Sequence, residues 1–226
     1  MLKYFLIIVT FFSLTACGQT NSNNQSNKSA DTMPSLTKDQ KMDTVLFWKI
    51  MDYAFEKVKF NNKLKEQTIL DQLIKLTPEQ IQEFEIIFQQ MNLKANTWNN
   101  MAAHTIIEGG SSDDTFFYFR CWLISLGKYH FDETLKNPDH LEGIDIPINK
   151  KYGYGEVIFE ELIPMSDNAY QIVTKRDPMK DTTFPRAFAQ NKGLFYDSNG
   201  DTKGVEWTDK DLPKIAPKLC KKFKVK

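Results

Sequence analysis

Residues 113–126 hold the densest run of large apolar side chains in the sequence, and any stable fold must bury it. Phe116, Phe117, Phe119, Trp122, Leu123, Ile124 and Leu126 occupy most of the circumference of a helix, which predicts a central element covered by neighbours on several sides. Ser111-Ser112-Asp113-Asp114 precedes it with a capping residue and an acidic first turn, both suited to a helix N-terminus. A preceding helix from about Thr97 to Glu108 stops at Gly109-Gly110, where glycine takes a left-handed cap most easily. The apolar run is read as continuing beyond Leu135, to Asn137-Pro138-Asp139.

The remaining segments repeat the three- and four-residue spacing. Val45, Leu46, Trp48, Ile50, Met51, Phe55 and Val58 predict one amphipathic helix, and Leu64, Ile69, Leu70, Leu73, Ile74 and Leu76 a second. Thr77-Pro78-Glu79-Gln80 is a start signal, with threonine as cap, proline at the first helical position and glutamine three residues on. Ile81, Phe84, Ile87, Phe88 and Met91 continue that third helix. A further helix is expected from about Gly155 towards Arg176, interrupted at Pro164. Prolines and glycines from Pro178 onward predict a loop-rich end with short helices. The expected fold is all-α: a single compact domain over residues 43–226, with about six helices.

The N-terminus carries a different signal. Lys3 and the apolar stretch Phe5–Phe12 are followed by Leu14-Thr15-Ala16-Cys17, a pattern that resembles a bacterial lipobox. A spanning helix needs roughly 20 apolar residues, more than this segment supplies, and an ordinary secretory leader has no need of cysteine here. Residues 1–16 are therefore expected to be a lipoprotein signal peptide, with Cys17 as the lipidation site. Gly18 stands where aspartate marks inner-membrane retention in many Gram-negative lipoproteins, so the outer membrane is the expected address if the cell has one. Residues 18–42 are rich in Asn, Ser, Gln, Thr and Lys with little to bury, as in a flexible linker. A coil of that length holds its domain roughly 25–30 Å from a bilayer.

Charge narrows the partners. With 29 basic and 29 acidic residues the formal net charge is zero, leaving no field to hold nucleic acid. Lys218, Lys221, Lys222, Lys224 and Lys226 form a local basic tail, read as a solvated helix end. With Cys17 assigned to the anchor, Cys121 reads as a buried small hydrophobe, while an oxidising compartment permits a bridge to Cys220. No CxxC and no His/Cys zinc spacing is present, and Asp197-Ser198-Asn199-Gly200-Asp201 lacks the remaining ligands of a calcium loop. Neither a metal nor a cofactor is expected.

Residues 109–141 read GGSSDDTFFYFRCWLISLGKYHFDETLKNPDHL. This stretch is similar to the signature GGCSDDxFxYFRxWLIxxGRxxFxxAxxDPDxL of a bacterial domain-of-unknown-function family numbered 4240. FWKIMDYA at residues 47–54 resembles that family's opening helix, and GVEWTDKDLPKIAPKLCKKF at residues 204–223 resembles its closing segment. The resemblance spans most of residues 43–224 and implies no activity. Ser111 replaces the family's cysteine, so any chemistry resting on a thiolate there would be lost. Thr115 replaces a glycine, Lys128 an arginine, and Cys220 stands where an aromatic is common.

The candidate chemistry gathers around the central helix. Asp113 and Arg120 are two turns apart and share a face. Arg120, set among Phe119, Cys121 and Trp122, calls for an acidic partner, with Asp113, Asp114, Glu108, Glu160 and Glu161 available. In a structural reading these acids cap helices and pin neighbours through Arg120. In a catalytic one, Asp113 and Asp114 act as a base or ligand pair, His104 as proton-transfer partner and Arg120 as an anion clamp. Ser111 shows no GxSxG context and no convincing base, and His130 and His140 show no suggestive partners. The leading expectation is a lipid-anchored binding module with a surface around Trp98, Glu108, Asp113, Asp114 and Arg120, facing a protein partner in the envelope. The alternatives are an envelope hydrolase using Asp113 and Asp114 with Arg120, and a toxin-associated or immunity-type interaction protein.

Overall fold

A computed structural model describes residues 40–177, 181–195 and 201–225. The expected signal peptide, Cys17, most of the expected linker and residues 197–200 of the Asp197–Asp201 stretch lie outside the described residues. Among the described residues there are ten α-helices and three short 3-10 helices, and no strand beyond two isolated bridges.

The capping signals act where the sequence places them. Asp43 opens α1 (Thr44–Val58) by accepting the Leu46 N–H at 2.8 Å, and Asn61 opens α2 (Asn62–Leu73). Thr77 and Gln80 form a reciprocal capping box at α3 (Pro78–Ala95). α4 (Trp98–Glu108) is capped by Thr97 and closes on Gly109 in the left-handed conformation. Ser112 caps α5 (Asp113–Ser125), with Thr115 completing the box. α5 is the central element: Phe116, Phe119, Cys121, Trp122, Leu123 and Ile124 are all buried, and α1, α3, α4 and α6 (Lys128–Lys136) pack around it.

Four features depart from the sequence reading. The apolar run does not continue as one helix, because Gly127 (φ 87°) breaks it and Asp52 of α1 accepts the Lys128 N–H at 2.7 Å, starting α6 on a new axis. The stretch from Gly155 is extended before a 3-10 turn at Glu160–Leu162, and α7 (Met165–Thr174) follows. Gly155, Val157 and Phe159 are buried while Glu156, Ile158 and Glu160 face out, a period of two that leaves no helical face. In α2 it is Lys65 that lies fully inside, whereas Leu64 is exposed. The folded part also reaches one residue further back than Asp43, since Met42 belongs to the core.

The C-terminal third wraps the bundle with α8 (Pro185–Asn191), α9 (Leu212–Ile215) and α10 (Pro217–Phe223). α10 docks through Leu219 and Cys220, which are buried, while Lys218, Lys221, Lys222 and Lys224 stay exposed. Asp139 accepts the Lys218 and Leu219 N–H groups at 3.0 Å, and Lys222 Nζ donates to the carbonyls of Glu142 and Ile144 at 2.7 Å. Cys121 and Cys220 are both buried and unbridged.

Candidate functional site

The end of α4 and the start of α5 form a compact polar assembly. His104 sits on the inward face of α4, completely buried, and Glu108 lies one turn further along the same face. Gly109 (φ 77°) and Gly110 then reverse the chain, bringing Ser111 back over the histidine. His104 Nδ1 is 2.8 Å from Ser111 Oγ, and His104 Nε2 is 3.0 Å from Glu108 Oε2. An ionised carboxylate only accepts hydrogen bonds, so Nε2 carries the proton towards Glu108 and Nδ1 is left to accept from the Ser111 hydroxyl. The imidazole lies over aromatic rings, with its centroid 5.1 Å from Phe119 and 6.1 Å from Phe116. Ser111 itself is exposed.

Glu108 opens on its other side into a groove of about 440 Å³, shared with Asn62, Asn149, Tyr152, Tyr154 and Glu156. A tight turn builds its far wall: Asn149 N–H donates to the Tyr154 carbonyl at 2.8 Å, and Asn149 Oδ1 accepts from the Lys151 N–H at 3.1 Å. Gly155 N–H donates to the Ile107 carbonyl at 2.9 Å, fastening the turn to the last turn of α4. A side chain at Gly109 would run into the Tyr154 ring, and one at Gly155 into Ile107, so glycine permits both approaches. Tyr152 and Tyr154 remain 60% and 49% exposed, presenting ring surface at the groove.

The structure separates the residues the sequence grouped. Asp113 and Asp114 project into solvent from the first turn of α5. Arg120 points inward: it is 6% exposed, its guanidinium carbon lies 5.1 Å from the Phe116 ring and 5.3 Å from that of Phe117, and Nη1 reaches the Asn92 carbonyl at 3.5 Å. Among the described residues no carboxylate stands within ion-pair distance of it, so the expected pairing with Asp113, Asp114, Glu108, Glu160 or Glu161 is not formed. Burial without a counter-charge lowers its pKa to about 10. A guanidinium enclosed in this way has no surface with which to clamp a solution anion.

Trp98 belongs elsewhere. It stands at the opposite end of α4 from Glu108, about 15 Å away by helical rise, and packs edge-on against Trp207 at 6.2 Å while its carbonyl accepts the Trp207 indole N–H. His130 and His140, which looked isolated in sequence, meet at 3.0 Å beside Tyr129. Burial first, and for His130 the adjoining His140 as well, lowers their pKa values. No group of three histidine, cysteine or acidic side chains suited to a metal gathers among the described residues.

Two functional features escaped the sequence reading. The imidazole that meets Ser111 lies seven residues upstream, beyond a glycine pair that folds the chain on itself. Its signal was His104 and Glu108 at the four-residue spacing that puts them on one face, just ahead of that reversal. The groove wall was hidden by reading residues 155–163 as helix, although the alternation of Gly155, Val157 and Phe159 marks extended backbone.

No curated protein and no solved structure matches this chain. A family model described as a protein of unknown function (DUF4240) matches residues 42–172, which take in α1 to α6, the groove wall and most of α7. The closing segment at residues 204–223 lies beyond that match. By this match over more than half its length, the chain belongs to the DUF4240 family.

Proposed function

We propose that this is a lipid-anchored cell-envelope protein, held by Cys17 on a flexible linker, whose helical domain captures a ligand in the groove beside Glu108. The observation that carries the reading is the chemistry of that groove. Two carboxylates (Glu108 and Glu156), two amides (Asn62 and Asn149) and two exposed tyrosine rings line it, with no lysine or arginine among them. Such a lining accepts hydrogen bonds and offers flat apolar faces, which suits a ligand rich in N–H and O–H donors with a ring to stack. Amino sugars have that chemistry, and a bacterial envelope presents them as polymers. The lipobox-like Leu14–Cys17 segment supports the same compartment, with the outer membrane as the address that Gly18 favours.

Titration of the protein with N-acetylglucosamine oligomers, followed by intrinsic fluorescence, tests the groove. Saturable binding weakened at least about tenfold by Tyr152→Ala or Glu156→Gln is expected, since each change removes about 1.4 kcal/mol or more of contact. Binding unchanged in both variants, or none at millimolar sugar, refutes the assignment. The anchor is tested separately: Cys17→Ser should move the protein from the membrane to the soluble fraction.

A further inference from the structure

The Ser111–His104–Glu108 chain goes beyond ligand capture. We propose that it is a nucleophilic centre and that Ser111 is acylated by carboxylic esters, making the protein an ester hydrolase. The three side chains meet in the order nucleophile, base, acid, each within hydrogen-bonding distance of the next. This is the relation by which an adjacent base activates a weak hydroxyl nucleophile. Ser111 is exposed, His104 is enclosed by Phe116 and Phe119 with Nδ1 turned to the Ser111 hydroxyl, and the Glu108 side chain is 20% exposed.

The step balances with water as the only co-reactant. Ser111 Oγ bonds to the ester carbonyl carbon while its proton passes to His104 Nδ1, and the imidazolium so formed is held by Glu108 through Nε2–H. The tetrahedral intermediate collapses by breaking the bond to the alcohol oxygen, which leaves with the proton from Nδ1. Water then attacks the acyl-serine, giving its proton to Nδ1, and Ser111 Oγ departs and recovers that proton. The sum is ester plus water to acid plus alcohol. For the developing oxyanion, the N–H groups of Asp113 and Asp114 at the start of α5 donate to no other group among the described residues. Glu108 acts through His104 and is a positioning residue. The Tyr154 ring that lines the groove beside Glu108 lies against Gly109, two residues before Ser111 in the chain, so the proposal places the alcohol portion of the ester in that groove.

The test uses the full chain in detergent with a fluorophosphonate, in which the serine oxygen displaces fluoride from phosphorus. A mass adduct on Ser111 is expected, formed at least ~100-fold more slowly in His104→Gln. Glu108→Gln should label more slowly and with a displaced pH profile, whereas a residue that merely supported the loop would leave the profile in place. Because His104→Gln removes a buried ring and could unfold the domain, Ser111→Cys gives a second reading at an exposed position. Its alkylation by iodoacetamide should titrate at least a unit below the ordinary thiol value of about 8.5. No adduct on Ser111 in folded wild type, or an ordinary thiol titration in Ser111→Cys, overturns the proposal. Neither readout involves the sugar titration, so a groove that binds nothing and a serine that does not react are told apart.

Discussion

Replacing Lys65 by methionine should stabilise the domain, an unusual outcome for a change in the core. Lys65 is fully buried in α2, with Nζ donating to Ser125 Oγ at 3.1 Å and lying 5.6 Å and 5.4 Å from the Phe55 and Phe159 rings. No carboxylate accompanies it among the described residues, and burial brings its pKa from 10.5 down to about 8. A shift of that size corresponds to about 3 kcal/mol of cost to the charged folded state, with the ring faces returning part of it. Below pH 8 the lysine is charged both folded and unfolded, so the whole cost is present. Between pH 8 and 10.5 the unfolded chain still holds the proton that the folded one has released, so wild-type stability rises with pH. Methionine has similar volume and no charge, and the Ser125 hydroxyl keeps its own bond to the Trp122 carbonyl at 2.7 Å, so nothing is left unpaired. Urea unfolding at 25 °C should show Lys65→Met more stable by about 1–3 kcal/mol at pH 7, with the gap closing by pH 10. A variant that is destabilised at pH 7, or a gap that ignores pH, refutes the reasoning.

Two other changes probe the frame of the site. Glu85 is buried between Gln89 and Ser166, and burial raises its pKa from 4.5 to about 7. The folded state therefore keeps a proton that the unfolded chain loses, so stability falls as pH rises from 4.5 to 7, and Glu85→Gln should flatten that fall in melting temperatures measured across the range. Gly127→Ala forces a side chain into a glycine-only backbone region and against Asp52, which caps α6. It should cost about 2–4 kcal/mol by denaturant unfolding, and a loss under 1 kcal/mol would show that the α5–α6 break is not held by this glycine.

The helices and their ends were legible in the residues because they depend on near neighbours. A threonine or serine cap acts on an N–H group three residues away, and Gly109 closes α4 by its own conformational freedom, so Thr77, Gly109 and Ser112 could be read locally. The all-α class and the central place of α5 followed from spacing and apolar content. Which polar groups meet depends on how helices pack, and spacing is silent there. Asp113 and Arg120 share a face in sequence, yet the packing of α3 against α5 turned the arginine inward to the Asn92 carbonyl while the aspartates stayed in water. Likewise Leu64 fits an apolar stripe better than Lys65 does, but the position of α2 against Phe55, Ser125 and Phe159 put the lysine inside. The site itself arose from both. His104 and Glu108 were set by helical periodicity, and only the reversal through Gly109 and Gly110 carried the Ser111 hydroxyl back to the imidazole, because a left-handed turn redirects every atom after it.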